Sequence, residues 1–231
     1  MSKSHHTLSS SGYQVLPSLL SDGTVNKVLR LIQANPHNNG FGIRDFLPNN
    51  PLVHQLLKQE STLQEVLRTY FDRPICVRSI YFDKPPRANW VVGWHQDLTM
   101  NLRSVPSGGG WQNIRRLKDR VVAQAPTDLL TKMVTLRLHL DDTDEGNGAL
   151  RVVPKVHQQG IIRTDTREME QANERAVLCQ VPSGGALLMK PLTPHASRRT
   201  REGTRPRRVI HLEFLDRSLL NGIDLHEASM F

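Results

Sequence analysis

The chain has 231 residues, a formal net charge of +8 and only two cysteines. Its contents of 38% apolar and 23% charged residues are typical of a globular protein and argue against a disordered chain. No run approaches 18 consecutive apolar residues, so no transmembrane helix is expected, and residues 1–12 lack the apolar core of a signal peptide. Cys76 and Cys179 lie in apolar runs, which predicts reduced core thiols of a cytoplasmic protein rather than a disulfide framework.

A basic cluster occupies residues 195–208, with six arginines against the single Glu202. Such a density of positive charge indicates an anionic partner, either nucleic acid or a phosphate or carboxylate on a small molecule. None of the aromatic residues lies in this cluster, so it lacks the stacking platforms of single-strand binding. A solvated loop is the alternative interpretation for Arg198, Arg199 and Arg201.

In chain order, residues 1–12 are predicted to be disordered and residues 13–71 to be helical. Ser21 or Asp22 can cap a helix whose apolar positions recur at helical spacing from Val25 to Ile32. Pro51 suits the first turn of a further helix. We expect these apolar stripes to pack against a core.

From residue 75 the pattern changes to short strands separated by turn residues, among them Asn147-Gly148 and Ser183-Gly184-Gly185. The predicted strands are Ile75–Asp83, Met133–Leu140, Ala149–Val153, Ala176–Val181, Ala186–Lys190 and Arg207–Leu215, with two or three more around His95. This arrangement predicts an antiparallel sandwich or barrel with the N-terminal helices packed outside. Residues 101–131 interrupt the strands, and an insertion of this length is typical of a lid or binding loop.

Three His-x-acid pairs are candidates for metal binding: His95/Asp97, His139/Asp141 and His211/Glu213. Residues i and i+2 of a strand share a face, so each pair can offer an imidazole and a carboxylate to one metal. A second histidine would complete the 2-His-1-carboxylate set that is typical of non-haem Fe(II). About one such pair is expected by chance from this composition, and spacing alone does not choose among the three.

Three segments together resemble a known family. They are Tyr81–Trp90 followed by Trp94-His-Gln-Asp-Leu98, then Asp141-Asp142 with Asn147-Gly-Ala-Leu-Arg-Val-Val-Pro154 and His157, and finally Pro194-His-Ala-Ser197 with 207–214. In this order they resemble the phytanoyl-CoA dioxygenase (PhyH) family of Fe(II)/2-oxoglutarate-dependent oxygenases. Lys155-Val156 replaces the Gly-Ser of the family's N-G-x-L-x-x-x-P-G-S-H signature.

The resemblance implies a double-stranded β-helix (jelly roll, cupin-like) fold, here as one domain over 13–231 with the jelly roll at 75–215. It implies an Fe(II) centre held by His95, Asp97 and His195, with 2-oxoglutarate and O2 as cosubstrates. Structural or substrate-contact roles are then expected for the other two His-x-acid pairs.

The far carboxylate of 2-oxoglutarate calls for an arginine, whose planar fork binds a carboxylate in bidentate fashion. Arg207 and Arg208 both follow the distal histidine at a suitable distance, but only one can point inward. Arg208 shares a face with the apolar Ile210, Leu212 and Phe214, which favours Arg208 if that face is the sandwich interior. The spacing in the family favours Arg207, and helices could cover the apolar face instead; we therefore expect Arg207.

Four further residues are candidates for the same cavity. Arg137 and Thr135 share a face of one strand and are candidates for cofactor binding, whereas Arg78 and Trp111 are candidates for substrate binding. A buried arginine requires a partner, which can be an anionic ligand or a structural ion pair. Lys84 is a weaker candidate, and Asn89 and Trp90 match the family motif without an assigned role.

The function that the resemblance implies is hydroxylation of a small metabolite with release of succinate and CO2. Related halogenases have a small residue at the carboxylate position, so Asp97 favours hydroxylation, although desaturation and ring closure use the same triad. A substrate that is anionic or linked to a carrier such as CoA would fit the basic cluster. The alternatives are a non-catalytic jelly-roll binding protein and a nucleic-acid-directed protein that uses the basic arm 198–208.

Overall fold

The computed structural model describes residues 2–84, 90–163, 169, 173–200 and 205–231. Its helices are α1 (Ser2–Ser11), α2 (Asp22–Ala34), α3 (Phe46–Asn49), α4 (Pro51–Gln59), α5 (Ser61–Arg68) and α6 (Thr127–Lys132). Short 3-10 helices lie at Val156–Gln159, Asn173–Arg175 and Arg217–Leu220. In the part of the chain that is described, no helix has the length and apolar character needed to cross a membrane.

The strands of the first half are β1 (Tyr13–Leu16), β2 (Gly42–Arg44), β3 (Pro74–Lys84), β4 (Val92–His95), β5 (Thr99–Leu102), β6 (Gln112–Arg116) and β7 (Val121–Gln124). Those of the second half are β8 (Val134–His139), β9 (Leu150–Val152), β10 (Val177–Leu178), β11 (Ala186–Met189), β12 (His195–Ser197), β13 (Arg207–Asp216) and β14 (Ser229–Met230). All six strands predicted between residues 75 and 215 are present, with ends shifted by a few residues.

Two antiparallel sheets form a jelly roll. The major sheet has the order β1-β11-β8-β13-β3-β14, with β2 also paired to β3, and the minor sheet has the order β10-β9-β12-β4. Residues of both sheets line one cavity between them. The predicted jelly-roll fold is confirmed, and the cavity lies where the two inner faces meet.

The outer face of the major sheet is covered by helices. Alternate residues of β13, namely Ile210, Leu212 and Phe214, belong to the same buried cluster as Val28 of α2 and Leu57 of α4. Ser21 caps α2, since its side chain accepts a hydrogen bond from the Thr24 backbone N–H at 3.1 Å. The apolar face of β13 is therefore the helix-facing side, and the opposite face is left for the cavity.

The N-terminal part differs from the sequence prediction. Residues 2–11 are helical rather than disordered, and Leu8 at the end of this helix is fully buried in the main core cluster. The backbone C=O of Gly12 accepts hydrogen bonds from the Lys190 N–H and the Thr193 hydroxyl. The predicted helical region 13–71 also contributes β1 and β2 to the major sheet. Polar composition alone did not reveal these tertiary contacts.

The insertion 101–131 is a folded layer rather than an irregular loop. Strands β5, β7 and β6 form a three-stranded antiparallel sheet, and Trp111 packs against a core cluster that contains Met100 and Leu130. The described residues that line the cavity include none from this insertion. The structure therefore does not place the insertion over the cavity as a lid, and it does not bring Trp111 to the cavity.

Candidate metal centre and cosubstrate cavity

His95, Asp97 and His195 converge at the cavity. His95 ends β4 and His195 begins β12, and the two residues are direct partners in the antiparallel register. Their ring centroids are 4.1 Å apart, and Asp97 lies 3.9 Å from His95 Nε2 and 3.6 Å from His195 Nε2. Strand pairing thus brings together two histidines that are 100 positions apart in the sequence.

The hydrogen bonds of the two imidazoles leave the same nitrogen free on each ring. His95 Nδ1 donates to the Gly93 C=O at 2.9 Å, and His195 Nδ1 donates to the Thr193 C=O at 3.0 Å. Because a carbonyl can only accept, the proton lies on Nδ1 and the lone pair lies on Nε2. This is the arrangement in which an imidazole binds a metal through Nε2 while a backbone partner orients the ring.

The charge states of the triad suit a cation. Burial lowers the pKa of His195 to about 4, against the attraction of Asp97. Burial opposes ionisation of Asp97, but the positive charges that His195, His211 and His95 carry in their protonated forms, together with Arg78, outweigh it and lower its pKa to about 2. Asp97 Oδ2 is buried and has no hydrogen-bond partner among the described residues. A carboxylate oxygen left this way between two free imidazole nitrogens is a fitting ligand atom for a bound metal.

A second group of potential ligands, Asp97, His211 and Glu213, lies beside the first. His211 Nδ1 accepts from Arg137 Nη1 at 2.8 Å, and His211 Nε2 donates to Glu213 Oε1 at 3.1 Å. Both imidazole nitrogens are therefore occupied, since arginine has no acceptor atom. The hydrogen bonds thus distinguish the two groups, and the geometry favours His95, Asp97 and His195 as the ligand set.

In the third His-x-acid pair, His139 and Asp141 have different partners. His139 Nδ1 lies 3.0 Å from the Thr143 hydroxyl, and burial lowers the pKa of His139 well below its ordinary value. Asp141 instead accepts hydrogen bonds from Arg208. Among the described residues this pair belongs to no group that could hold a metal.

Arg207 and Arg208 lie on opposite faces of β13. Arg207 is buried and lines the cavity, where its Nη1 donates to the Gly148 C=O and its Nε has no described partner. Arg208 forms a two-pronged ion pair with Asp141, at 2.6 and 2.8 Å, outside the cavity. Burial, followed by the charge of Arg137, lowers the pKa of Arg207 to about 9. The inward position expected for Arg207 is thus the one observed.

The Asn147-Gly148 turn positions Arg207. Gly148 has φ +79°, and a Cβ there would lie 2.9 Å from the Arg198 C=O. Only glycine accommodates both constraints at low cost. The Gly148 C=O also accepts a hydrogen bond from Arg207. The glycine of the N-G-x-L signature thus orients the arginine that begins the segment 207–214.

A chain of polar contacts crosses the cavity floor. It runs from Arg137 through His211 and Glu213 to Arg78, whose Nη1 lies 3.1 Å from Glu213 Oε1 and whose Nη2 donates to the Thr99 hydroxyl at 3.0 Å. Arg78 and Arg137 both line the cavity, as expected. The His211 and Glu213 side chains were candidates only as a weak His-x-acid motif, and their contacts across three strands had no sequence signal.

Thr135 and Lys84 lie next to the cavity but do not line it. Thr135 is fully buried, its hydroxyl has no described partner, and it is the register partner of Glu213. Lys84 donates to the Trp90 C=O at 2.8 Å and the Arg198 C=O at 2.9 Å, and burial lowers its pKa to about 8. Trp90 itself lines the cavity, and Asn89 lies outside the described residues.

The basic cluster is partly neutralised within the protein. Arg205 pairs with Asp142 at 3.3 Å and Asp144 at 2.6 Å, Arg208 pairs with Asp141, and Arg207 is buried. Arg198 and Arg199 are exposed, and Arg201 lies outside the described residues. Half of the six arginines thus do not form a free positive surface, which weakens the case for a nucleic-acid arm.

Solved structures share this fold at low sequence identity. SnoK, a non-heme alpha-ketoglutarate-dependent carbocyclase from nogalamycin biosynthesis, matches with a TM-score of 0.69 and 14% identity over 100% of this chain and 96% of its own. EctD from S. alaskensis with 2-oxoglutarate and 5-hydroxyectoine matches with a TM-score of 0.71 and 17% identity over 94% of this chain and 77% of its own. EctD with bound Fe matches with a TM-score of 0.70, 15% identity and the same coverage.

No curated protein matches the chain at a significant level. The family model of phytanoyl-CoA dioxygenase (PhyH), however, matches residues 9–209, which is most of the chain and includes His95, Asp97, His195 and Arg207. The protein therefore belongs to the phytanoyl-CoA dioxygenase family of Fe(II)/2-oxoglutarate-dependent oxygenases.

Proposed function

We propose that this protein is an Fe(II)- and 2-oxoglutarate-dependent oxygenase that hydroxylates a small molecule and releases succinate and CO2. The observation that carries the proposal is one cavity in which two free imidazole nitrogens, one unpartnered carboxylate oxygen and one buried arginine meet. The solved structures of EctD with Fe and with 2-oxoglutarate support it, because they share the fold.

The ligand set fits iron. Two neutral imidazoles and a carboxylate are the facial triad of non-haem Fe(II) oxygenases, and they leave positions open for a cosubstrate and oxygen. When bound, the metal supplies the redox chemistry that couples decarboxylation of 2-oxoglutarate to oxidation of the substrate by O2. Asp97 occupies the third protein position, which supports hydroxylation rather than halogenation.

Arg207 is proposed to bind the far carboxylate of 2-oxoglutarate. Its Nη1 is held by the Gly148 C=O, which orients the guanidinium and leaves the Nε edge for a ligand. A guanidinium edge that donates two parallel N–H bonds matches a carboxylate in bidentate fashion. Burial makes this interaction stronger than it would be in water.

Apart from Ser197, the remaining described wall of the cavity is apolar. Ile80, Phe82, Val92 and Leu150 line it together with Trp90. These side chains exclude water from the reacting groups and offer a surface to the apolar part of a substrate. We therefore assign hydroxylation to a compact organic molecule and not to a nucleic acid.

The test is anaerobic visible absorption of the purified protein with added Fe(II) and then 2-oxoglutarate. A metal-to-ligand charge-transfer band is expected for the unaltered protein and for His37→Ala, a control at an exposed histidine. The band should be lost in His95→Ala. Succinate release in air then serves to screen substrates. If Fe(II) does not bind to the unaltered protein, the non-catalytic jelly-roll alternative gains support.

A further inference from the structure

Among the described residues, three arginines line the cavity, and only one of these three has a carboxylate partner there. Arg78 is paired with Glu213 at 3.1 Å. Arg137 and Arg207 form no ion pair with any described carboxylate, although both are nearly fully buried. A buried guanidinium without a counter-ion is costly, so each of them indicates a ligand that arrives from outside.

Arg137 is a second anchor rather than part of a closed structural network. Its Nη1 donates to His211, whose other nitrogen donates to Glu213, so this imidazole is uncharged and does not neutralise Arg137. Its Nε is buried and has no described partner. The guanidinium lies over the Phe82 ring, 5.4 Å from its centroid, which positions the group against the apolar wall.

Among the described residues that line it, the loaded cavity has one positive charge in excess. This step rests on the proposed function. The two unpaired guanidiniums and a divalent iron bring four positive charges, whereas Asp97 and the dianion of 2-oxoglutarate bring three negative charges. Arg78 and Glu213 cancel one another, and the histidines that line the cavity are neutral in this arrangement. A substrate with one negative charge would restore the balance.

The positions of Arg137 and Arg207 favour different ligands for the two arginines. Arg137 contacts His211, which lies in the group around Asp97, so its guanidinium is on the metal side of the cavity. Arg207 is four residues before His211 on β13, or about 13 Å along the strand. The far carboxylate of a metal-bound cosubstrate must extend away from the metal, which suits Arg207, whereas the oxidised substrate must stay close to the metal, which suits Arg137.

We propose that the substrate carries a single, singly charged oxyanion group, a carboxylate or a sulfate ester, that binds the Nε edge of Arg137. Its carbon skeleton packs against Phe82, Ile80 and Leu150. Arg137 is then a substrate-binding residue, and the cosubstrate role expected from the sequence falls to Arg207 alone.

The test uses the anaerobic Fe(II)–2-oxoglutarate complex at saturating 2-oxoglutarate, with hexanoate, hexyl sulfate and hexanamide as probes. Binding of the anions should shift or sharpen the charge-transfer band, whereas the uncharged hexanamide should not. A response to hexanoate alone identifies a carboxylate, and one to hexyl sulfate alone identifies a sulfate ester. In Arg137→Met the affinity for the anionic probes, measured from the change in the band, should fall at least tenfold. Arg137→Lys should retain part of this affinity. The affinity for 2-oxoglutarate should stay within about threefold in both variants.

Four outcomes would overturn the inference. The first is an intact band in the unaltered protein that neither anion changes. The second is a loss of the band by anions that excess 2-oxoglutarate reverses, which would place the anion at Arg207. The third is a 2-oxoglutarate affinity that falls as far in Arg137→Met as in Arg207→Met. The fourth, no band at all in the unaltered protein, overturns the proposed function and this inference with it. The probe comparison on the unaltered protein does not depend on whether a variant folds.

Discussion

Arg207 and Arg208 are adjacent on β13 but serve different layers of the protein. Arg207 points into the cavity and bonds to the Gly148 C=O, whereas Arg208 pairs with Asp141 on the other face. The alternation of a strand separates the two side chains completely. Function and stability are therefore expected to separate between these two neighbours.

The first prediction concerns this pair. Arg207→Met should weaken 2-oxoglutarate binding to the anaerobic Fe(II) protein by about 10- to 100-fold, because hydrogen bonds to a charged group contribute about 1.5–3 kcal/mol. Arg208→Met should leave the affinity within about threefold and lower the free energy of unfolding by at most about 1 kcal/mol, since its ion pair is partly exposed. Titration of the charge-transfer band and thermal unfolding measure the two effects. Equal losses of affinity would contradict the assignment of Arg207.

The second prediction concerns Arg78 and Glu213. Their ion pair is buried, with side chains 13% and 2% exposed. Either Arg78→Met or Glu213→Gln should lower the free energy of unfolding by about 3–5 kcal/mol, because the remaining charge loses its partner. The double variant should lose less than the sum of the two, with a coupling energy of about 1–3 kcal/mol. Urea unfolding of the four proteins measures this cycle, and additive losses would show that the two groups do not interact.

The third prediction concerns Glu227, a buried carboxyl that joins the C-terminal segment to β3. It accepts hydrogen bonds from the Ser79 N–H at 2.8 Å and from the Ser79 hydroxyl. Burial raises its pKa to about 7 from 4.5, against the effect of these hydrogen bonds. The folded state therefore holds this proton more tightly than the unfolded state does. The stabilisation is complete below about pH 4.5 and is lost as the pH rises towards 7.

Between pH 5 and pH 8 the free energy of unfolding should fall by about 2–3 kcal/mol more in the unaltered protein than in Glu227→Gln. Urea unfolding at the two pH values measures the difference. Glu65→Gln, at an exposed position on α5, is the control and should follow the unaltered protein. Parallel pH profiles for Glu227→Gln and the unaltered protein would rule out this role.

The fourth prediction concerns the turn before β11. Gly184 has φ +77°, and a Cβ there would lie 2.5 Å from the Leu20 C=O. Gly184→Ala should therefore lower the free energy of unfolding by at least about 2 kcal/mol, or about 4–8 °C in Tm. Gly109→Ala, where a Cβ meets nothing within 4 Å, should change it by less than about 0.5 kcal/mol. Calorimetry of the two variants makes the comparison, and similar Tm values would show that the turn relaxes.

Short-range patterns predicted much of the fold. Short runs rich in apolar or β-branched residues and the turn residues between them located the strands from residue 75 to 215, and Ser21 and Pro51 marked helix starts that the structure contains. These features depend on neighbours within a few residues, so the sequence carries them directly. The helix at Ser2–Ser11 was missed because its stability comes from Leu8 and from partners far along the chain.

The sequence by itself determined the family, the six main strands of the jelly roll and a short set of candidate residues. The resemblance to the family already grouped His95, Asp97 and His195, but only the tertiary structure shows which candidates share one cavity and how their contacts differ. Alternation defines two faces of β13 but does not say which face the helices cover, and their packing on Ile210, Leu212 and Phe214 turned Arg207 inward. Spacing likewise made three His-x-acid pairs equivalent, and only the hydrogen bonds of the folded chain left the Nε2 atoms of His95 and His195 free while occupying both nitrogens of His211. Pairing between distant strands creates these differences, and no local pattern in the sequence encodes them.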